Sequence, residues 1–134
     1  MTHLVGFRTA KFDIAAETPN PINPIAGRSV LDWLRTALAK HGYVVAEPDA
    51  EDWGWYMDVK SNDAAYMVGA SAEAEEPSPV TDWLVQVHKH RSFKEKLLGR
   101  NKLAADDSLT TLIESIVRAD TQMTDISVDR SASR

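Results

Sequence analysis

The stretch EDWGWYMDVKSNDAAYMVGAS, residues 51–71, decides what kind of sheet this chain builds. With a period of two, Trp53, Trp55, Met57 and Val59 share one face, while Gly54, Tyr56, Asp58 and Lys60 share the other. The tetrapeptide Ser61–Ala64 is a turn, and residues 65–71 return as a second β-rich run. Two strands joined by so short a link must run antiparallel, because a parallel pair needs a crossover of a dozen residues or more. The parity places both indoles toward a core. It leaves Gly54 where the missing side chain admits a neighbouring backbone or ligand.

The same logic extends in both directions. YVVAEP, ending at Pro48, is a short strand, and TDWLVQVHKH, residues 81–90, is another, with Trp83, Val85 and Val87 inward and Leu84, Gln86, His88 and His90 outward. Residues 4–14 make a first strand. ETPNPINPIAG, residues 17–27, has three prolines in six residues; each fixes its own φ and extends the residue before it, so the segment is a stiff loop.

Helices are marked by their caps. Ser29 with Asp32 resembles a capping box ahead of the apolar arc Val30, Leu31, Leu34, Ala37 and Leu38, and Gly42 supplies the stop. Ser92 with Glu95 opens one or two turns ending at Gly99. Asp107 caps a final helix with the stripe Leu109, Leu112, Ile113, Ile116 and Val117 and the pair Glu114–Arg118 on its wet face. The resulting order is β-α-β-β-β-β-α. It predicts an α+β fold: a single small domain, residues 1–125, with a mostly antiparallel sheet of about five strands and two main helices on one face. Residues 126–134 form a short polar tail, with 126–129 able to add an edge strand.

At 134 residues the chain is one domain, with ordinary hydrophobic and charged fractions of 43% and 26%. The absence of cysteine excludes disulfides, thiolate metal sites and cysteine nucleophiles, and matches a cytoplasmic setting. MTHLVGFRTAKFD has no apolar run of the signal-peptide kind. Residues 64–70, the longest near-apolar run, fall far short of the roughly 18 a membrane helix needs, so no membrane association is expected.

A net charge of −5 disfavours nucleic acid as a partner. That total conceals a polarity: residues 47–82 hold ten acids and one base, a local −9, while residues 88–102 hold six bases and one acid, a local +5. Solvated loops and strand faces account for most such runs, but a partner surface of one sign is the sharper reading. On it, His88, Lys89, His90, Arg91, Lys94, Lys96, Arg100 and Lys102 form a partner-binding patch, joined by Asn20 and Asn23 of the proline loop.

Two further sites compete with plain packing. Trp33, Trp53, Trp55, Tyr56 and Asp58 would line a ligand pocket if the sheet were open, though all four tryptophans, Trp83 included, also fit core or core-edge positions. His88 and His90 share one strand face, yet two imidazoles are not a metal site and no third ligand stands at fixed spacing. No motif for a serine or cysteine nucleophile, a phosphate loop or a zinc protease is present. The expectation is a non-enzymatic protein-interaction module of the immunity, antitoxin, chaperone or adaptor type, with no cofactor or metal and another protein as partner. A homodimer is permitted. A ligand-binding protein or simple enzyme with a Trp-lined pocket is the alternative.

Overall fold

The structure is a computed structural model that describes residues 2–73 and 78–131. Most of the acidic loop EAEEPSP, residues 74–77, and the last three residues of the tail lie outside the described residues. The strands are β1 (His3–Thr9), β2 (Val44–Val45), β3 (Asp49–Glu51), β4 (Gly54–Lys60), β5 (Ala65–Ala72), β6 (Thr81–Lys89) and β7 (Thr124–Asp129). The helices are α1 (Arg28–Ala39), α2 (Phe93–Leu98) and α3 (Ser108–Ala119), and Ile14–Ala16 form a single 3-10 turn. All strand pairs are antiparallel, in the order β2-β4-β5-β6-β1-β7, with β3 also against β4. The α+β architecture is as the sequence predicts. Its sheet is wider, because beyond Pro48 residues 49–51 form a further short strand against β4 and because residues 124–129 pair with β1.

One face of the sheet is covered and the other is bare. Across the covered face run the rows Met57, Val68, Val87, His3 and Trp55, Ala70, Val85, Val5, all buried. Onto them pack Val30, Leu31, Leu34 and Leu38 of α1 and Leu109, Ile113 and Val117 of α3, the arcs the helical spacing selects. Each large aliphatic side chain so buried contributes roughly 1.5–3 kcal/mol, which makes this layer the seat of stability. A polar seam closes the α3 end. Asp107 accepts from the N–H groups of Leu109 and Thr110, receives the Tyr66 hydroxyl at 3.0 Å, and lies 3.6 Å from the Lys89 ammonium. Burial beside this carboxylate drives the Tyr66 phenol well above its ordinary range.

Two local expectations fail for identifiable reasons. The cap of α1 is Gly27, not Ser29, and the orphan N–H groups are satisfied from a distance by Glu17. Its carboxylate accepts from the Gly27, Arg28 and Ser29 amides at 2.7, 2.8 and 3.1 Å and from the Ser29 hydroxyl at 2.6 Å. The second failure concerns the tryptophans. Asp52 and Trp53 form the turn between β3 and β4, and Gly54 has a φ of +148°, so strand alternation does not reach Trp53. Trp55 is buried in the core; the Trp53 indole crosses to the bare face, where it lies on Gly69 so closely that a Cβ there would sit 2.4 Å from the ring. The two indoles look to opposite sides of the sheet.

A lobe built on caps rather than on burial

Residues 90–102 leave the sheet as a small lobe around α2. Ser92 accepts from the Glu95 amide at 3.1 Å, and Glu95 accepts in return from the Ser92 amide at 2.9 Å, completing the capping box. At the far end, the Gly99 amide bonds back to Glu95 and Lys96, and the Arg100 amide donates to the Glu95 carbonyl at 2.8 Å. Arg91 fastens the lobe from outside: Nε donates to the Arg100 carbonyl at 3.1 Å and Nη2 to the Glu95 carbonyl at 3.3 Å. A six-residue helix is far below the length that is stable alone. Here the caps and the arginine hold it.

No residue of α2 is buried. Phe93, Leu97 and Leu98 are 81%, 73% and 51% exposed. Four residues apart, Phe93 and Leu97 stand one above the other on the same side of the helix, flanked by Lys94 and Lys96. Lys94, Lys96, Arg100 and Lys102 are exposed, and none is joined to a carboxylate by an ion pair among the described residues. The single acid of the segment, Glu95, is taken up by the capping box. Hydrogen bonds from the Ser92 amide and the Asn101 side chain hold the Glu95 carboxyl below the usual carboxylate range. The lobe thus offers solvent an apolar ridge with cations around it, and its one carboxylate is tied into the capping box and to Asn101.

The other residues marked by sequence are dispersed. Lys89 points to the covered face, toward Asp107 and the Tyr66 ring. His88 lies on the bare face with its ring nitrogens 3.1 Å from the Thr2 hydroxyl, and His90 stands 3.9 Å from Asp58. Among the described residues no cluster of three ligating side chains forms a metal site. Asn20 and Asn23 bond within the chain itself. The Asn20 amide donates to the carbonyls of Glu51 and Gly54 at 3.0 and 2.8 Å, and that of Asn23 to Asp52 at 2.8 Å, clamping the proline loop onto the hairpin turn. Of the proposed pocket, Trp33 packs edge-on against Phe12, Trp55 is buried, and Trp53, Tyr56 and Asp58 are on the opposite side of the sheet. The five side chains do not converge.

The apolar ridge is what sequence reading missed. Its signal was present: between the Ser92 cap and Gly99 the segment has too few residues to reach a core, so any apolar side chain there is left outside. The chain matches no protein-family model, and no similarity to a curated protein or a solved structure reaches significance. Among the described residues no helix is long and apolar enough to cross a membrane.

Proposed function

We propose that this chain is a non-catalytic protein-interaction module whose contact element is the α2 lobe, and that its partner is a protein with an acid-rimmed apolar groove. One observation carries the reading: α2 buries nothing, yet both of its ends are capped and an arginine staples it in place. A solvated helix with three large apolar side chains gains nothing from displaying them. A helix that docks by anchors at i, i+4 and i+5 needs them displayed and preorganised. The surrounding cations raise the encounter rate with an acidic partner and reject basic ones. Cytoplasmic residence and a role of the antitoxin, chaperone or adaptor kind are consistent with this surface.

The test is affinity capture with the full chain as bait, in parallel with Phe93→Ser/Leu97→Ser and Lys94→Glu/Lys96→Glu baits. The expected result is a defined acidic protein recovered by the wild type, lost with both variants and weakened by high salt. Recovery unchanged by the α2 variants refutes the proposal. So does sedimentation of the wild type, but not the variants, with anionic phosphatidylserine vesicles in the absence of protein, since that would make lipid the target.

A further inference from the structure

At the head of α1, three successive main-chain amides, those of Gly27, Arg28 and Ser29, converge with the Ser29 hydroxyl on the carboxylate of Glu17. Amides so gathered at a helix N-terminus hold an anion well. Beside them opens a cavity of about 320 Å³, at the small end of ligand sites, with Phe12, Thr18, Arg28 and Glu17 itself among its walls. The core beneath adds an independent feature. Trp55 is 3% exposed, and its indole N–H has no hydrogen-bond partner among the described residues. Cδ1, the atom bonded to that nitrogen, would stand 3.3 Å from a Cβ placed on Gly27. The empty donor is therefore beside the first of the three amides. A polar group so enclosed costs free energy unless something supplies the missing bond, and Glu17 does not supply it.

The charges narrow what fits there. Both cations of the cavity are already taken: Lys11 pairs with Asp120, and Arg28 lies 2.9 Å from Glu47 and 3.6 Å from Asp32, with its guanidinium over the Trp55 ring. An incoming anion finds no spare charge, so it must exchange with the Glu17 carboxylate one for one. The strap permits that exchange. Asp13 caps the 3-10 turn before Glu17 by accepting from the Ala15 amide, and Asn20 and Asn23 clamp the loop after it. Glu17 can swing out while both of its flanks stay anchored. A ligand wins the exchange by a bond that Glu17 does not make, and the Trp55 N–H is the donor available for one. That requires an acceptor oxygen next to the carboxylate.

We propose that the head of α1 is a binding site for a small α-hydroxy or α-oxo carboxylic acid with an apolar body, and that Glu17 is its built-in competitor. The ligand carboxylate takes the Gly27, Arg28 and Ser29 amides, its α-oxygen accepts from the Trp55 N–H, and its body lies against Phe12. That ring stands edge-on, 5.7 Å from both Trp33 and Trp83, so the wall is aromatic. A carboxylic acid without the α-oxygen leaves the indole empty, and a phosphate dianion brings more charge than Glu17 takes away. The site shares no residue with the α2 lobe and does not depend on it.

Proton–nitrogen correlation spectra of the full chain test this directly, because each tryptophan gives its own indole N–H signal and Trp55→Phe identifies the one that matters. The probes are phenyllactate and phenylpropionate, the same skeleton without the α-oxygen. Phenyllactate should shift the Trp55 indole signal, and it should bind Glu17→Gln about tenfold more tightly than wild type, since the competing charge is gone. Phenylpropionate should bind Glu17→Gln about tenfold more weakly than phenyllactate and leave that signal in place. Trp55→Phe, combined with Glu17→Gln, should abolish the preference between the two acids. If Glu17→Gln loses its far-UV helical signature, Glu17→Asp, which withdraws the carboxylate by one methylene, takes its place with the same order of affinities expected. Phenyllactate that binds the Glu17 variant no more tightly than wild type overturns the proposal. So do two acids that bind the variant alike, or a titration in which the Trp55 signal stays still.

Discussion

Helices α2 and α3 begin alike and end in opposite situations. Each has a side-chain cap accepting from the first-turn amides, Ser92 in one and Asp107 in the other. Each carries apolar residues four apart. In α3 the positions Leu109, Ile113 and Val117 vanish into the core; in α2 Phe93 and Leu97 stand in water. The difference lies in length and in what surrounds the cap. Asp107 is itself buried and bonded to Tyr66 and Lys89, so capping and packing reinforce one another. Ser92 is exposed, and its box specifies a local shape without contributing to the core. The same local signal thus marks a pillar of the fold in one place and a displayed surface in the other.

The contrast is sharpest where the two helices are cut in the same way. Ile113→Ala should cost about 2–5 kcal/mol of global stability, read from the denaturant midpoint, because it removes a fully buried side chain and leaves a cavity. A loss below 1 kcal/mol would mean that α3 is not part of the cooperative core. Next in size is Asp107→Ala. It removes an N-cap worth about 1 kcal/mol and strands a buried phenol at a further cost of about 1–3 kcal/mol. Asp107→Asn keeps one oxygen to accept from the Leu109 and Thr110 amides but puts an NH2 donor where the other accepts from Tyr66, so it should recover the cap and only part of the rest.

How far these elements were legible follows from how local their causes are. The antiparallel sheet is readable because no stretch between residues 44 and 89 can supply a crossover helix. The caps of α2 and α3 lie within three residues of what they cap. The cap of α1 does not: Glu17 reaches Gly27–Ser29 across the proline loop, and no spacing rule relates them. Trp53 was misplaced because alternation assumes an unbroken strand, whereas Gly54 ends it one residue early. The bare face was visible as Leu84 and Gln86 pointing outward, but nothing in one dimension says that Leu4 and Met67 join them. The candidate site was half legible: its cations were read from composition, its apolar ridge was not.

A smaller and pH-dependent effect separates the core seam from the lobe. His3 is fully buried, with Nδ1 2.7 Å from the Thr110 hydroxyl and Nε2 unpartnered. Burial, reinforced by Arg130, lowers its pKa below the ordinary 6.5, although Asp107 and Asp129 act in the opposite sense. Above pH 6.5 the imidazole is neutral whether the chain is folded or not, and titration adds nothing. As pH falls below that value the unfolded chain takes up the proton first, so stability declines until the folded pKa is reached. Glu114 and Asp120, held low by Arg118 with Arg130 and by Lys11, lose their contributions only in the more acidic carboxylate range. Unfolding midpoints measured between pH 7.5 and 5 should therefore slope downward in the wild type and flatten in His3→Gln. Equal slopes in both would remove His3 from the account.

The smallest effect is the one that most directly opposes α2 to α3. Leu97 stands four residues after Phe93, the spacing that Leu109 and Ile113 have in the core stripe of α3, yet Leu97→Ser should shift the unfolding free energy by no more than about 0.5 kcal/mol in either direction, as exposed substitutions do. A chain that tolerates the loss of a leucine at no cost in stability has kept it for another purpose, and partner capture is where the deficit should then appear. If Leu97→Ser instead destabilised the chain by 2 kcal/mol or more, α2 would be packing in solution against a surface of its own molecule. The lobe would then be a second piece of core, and its display to a partner would lose its physical basis.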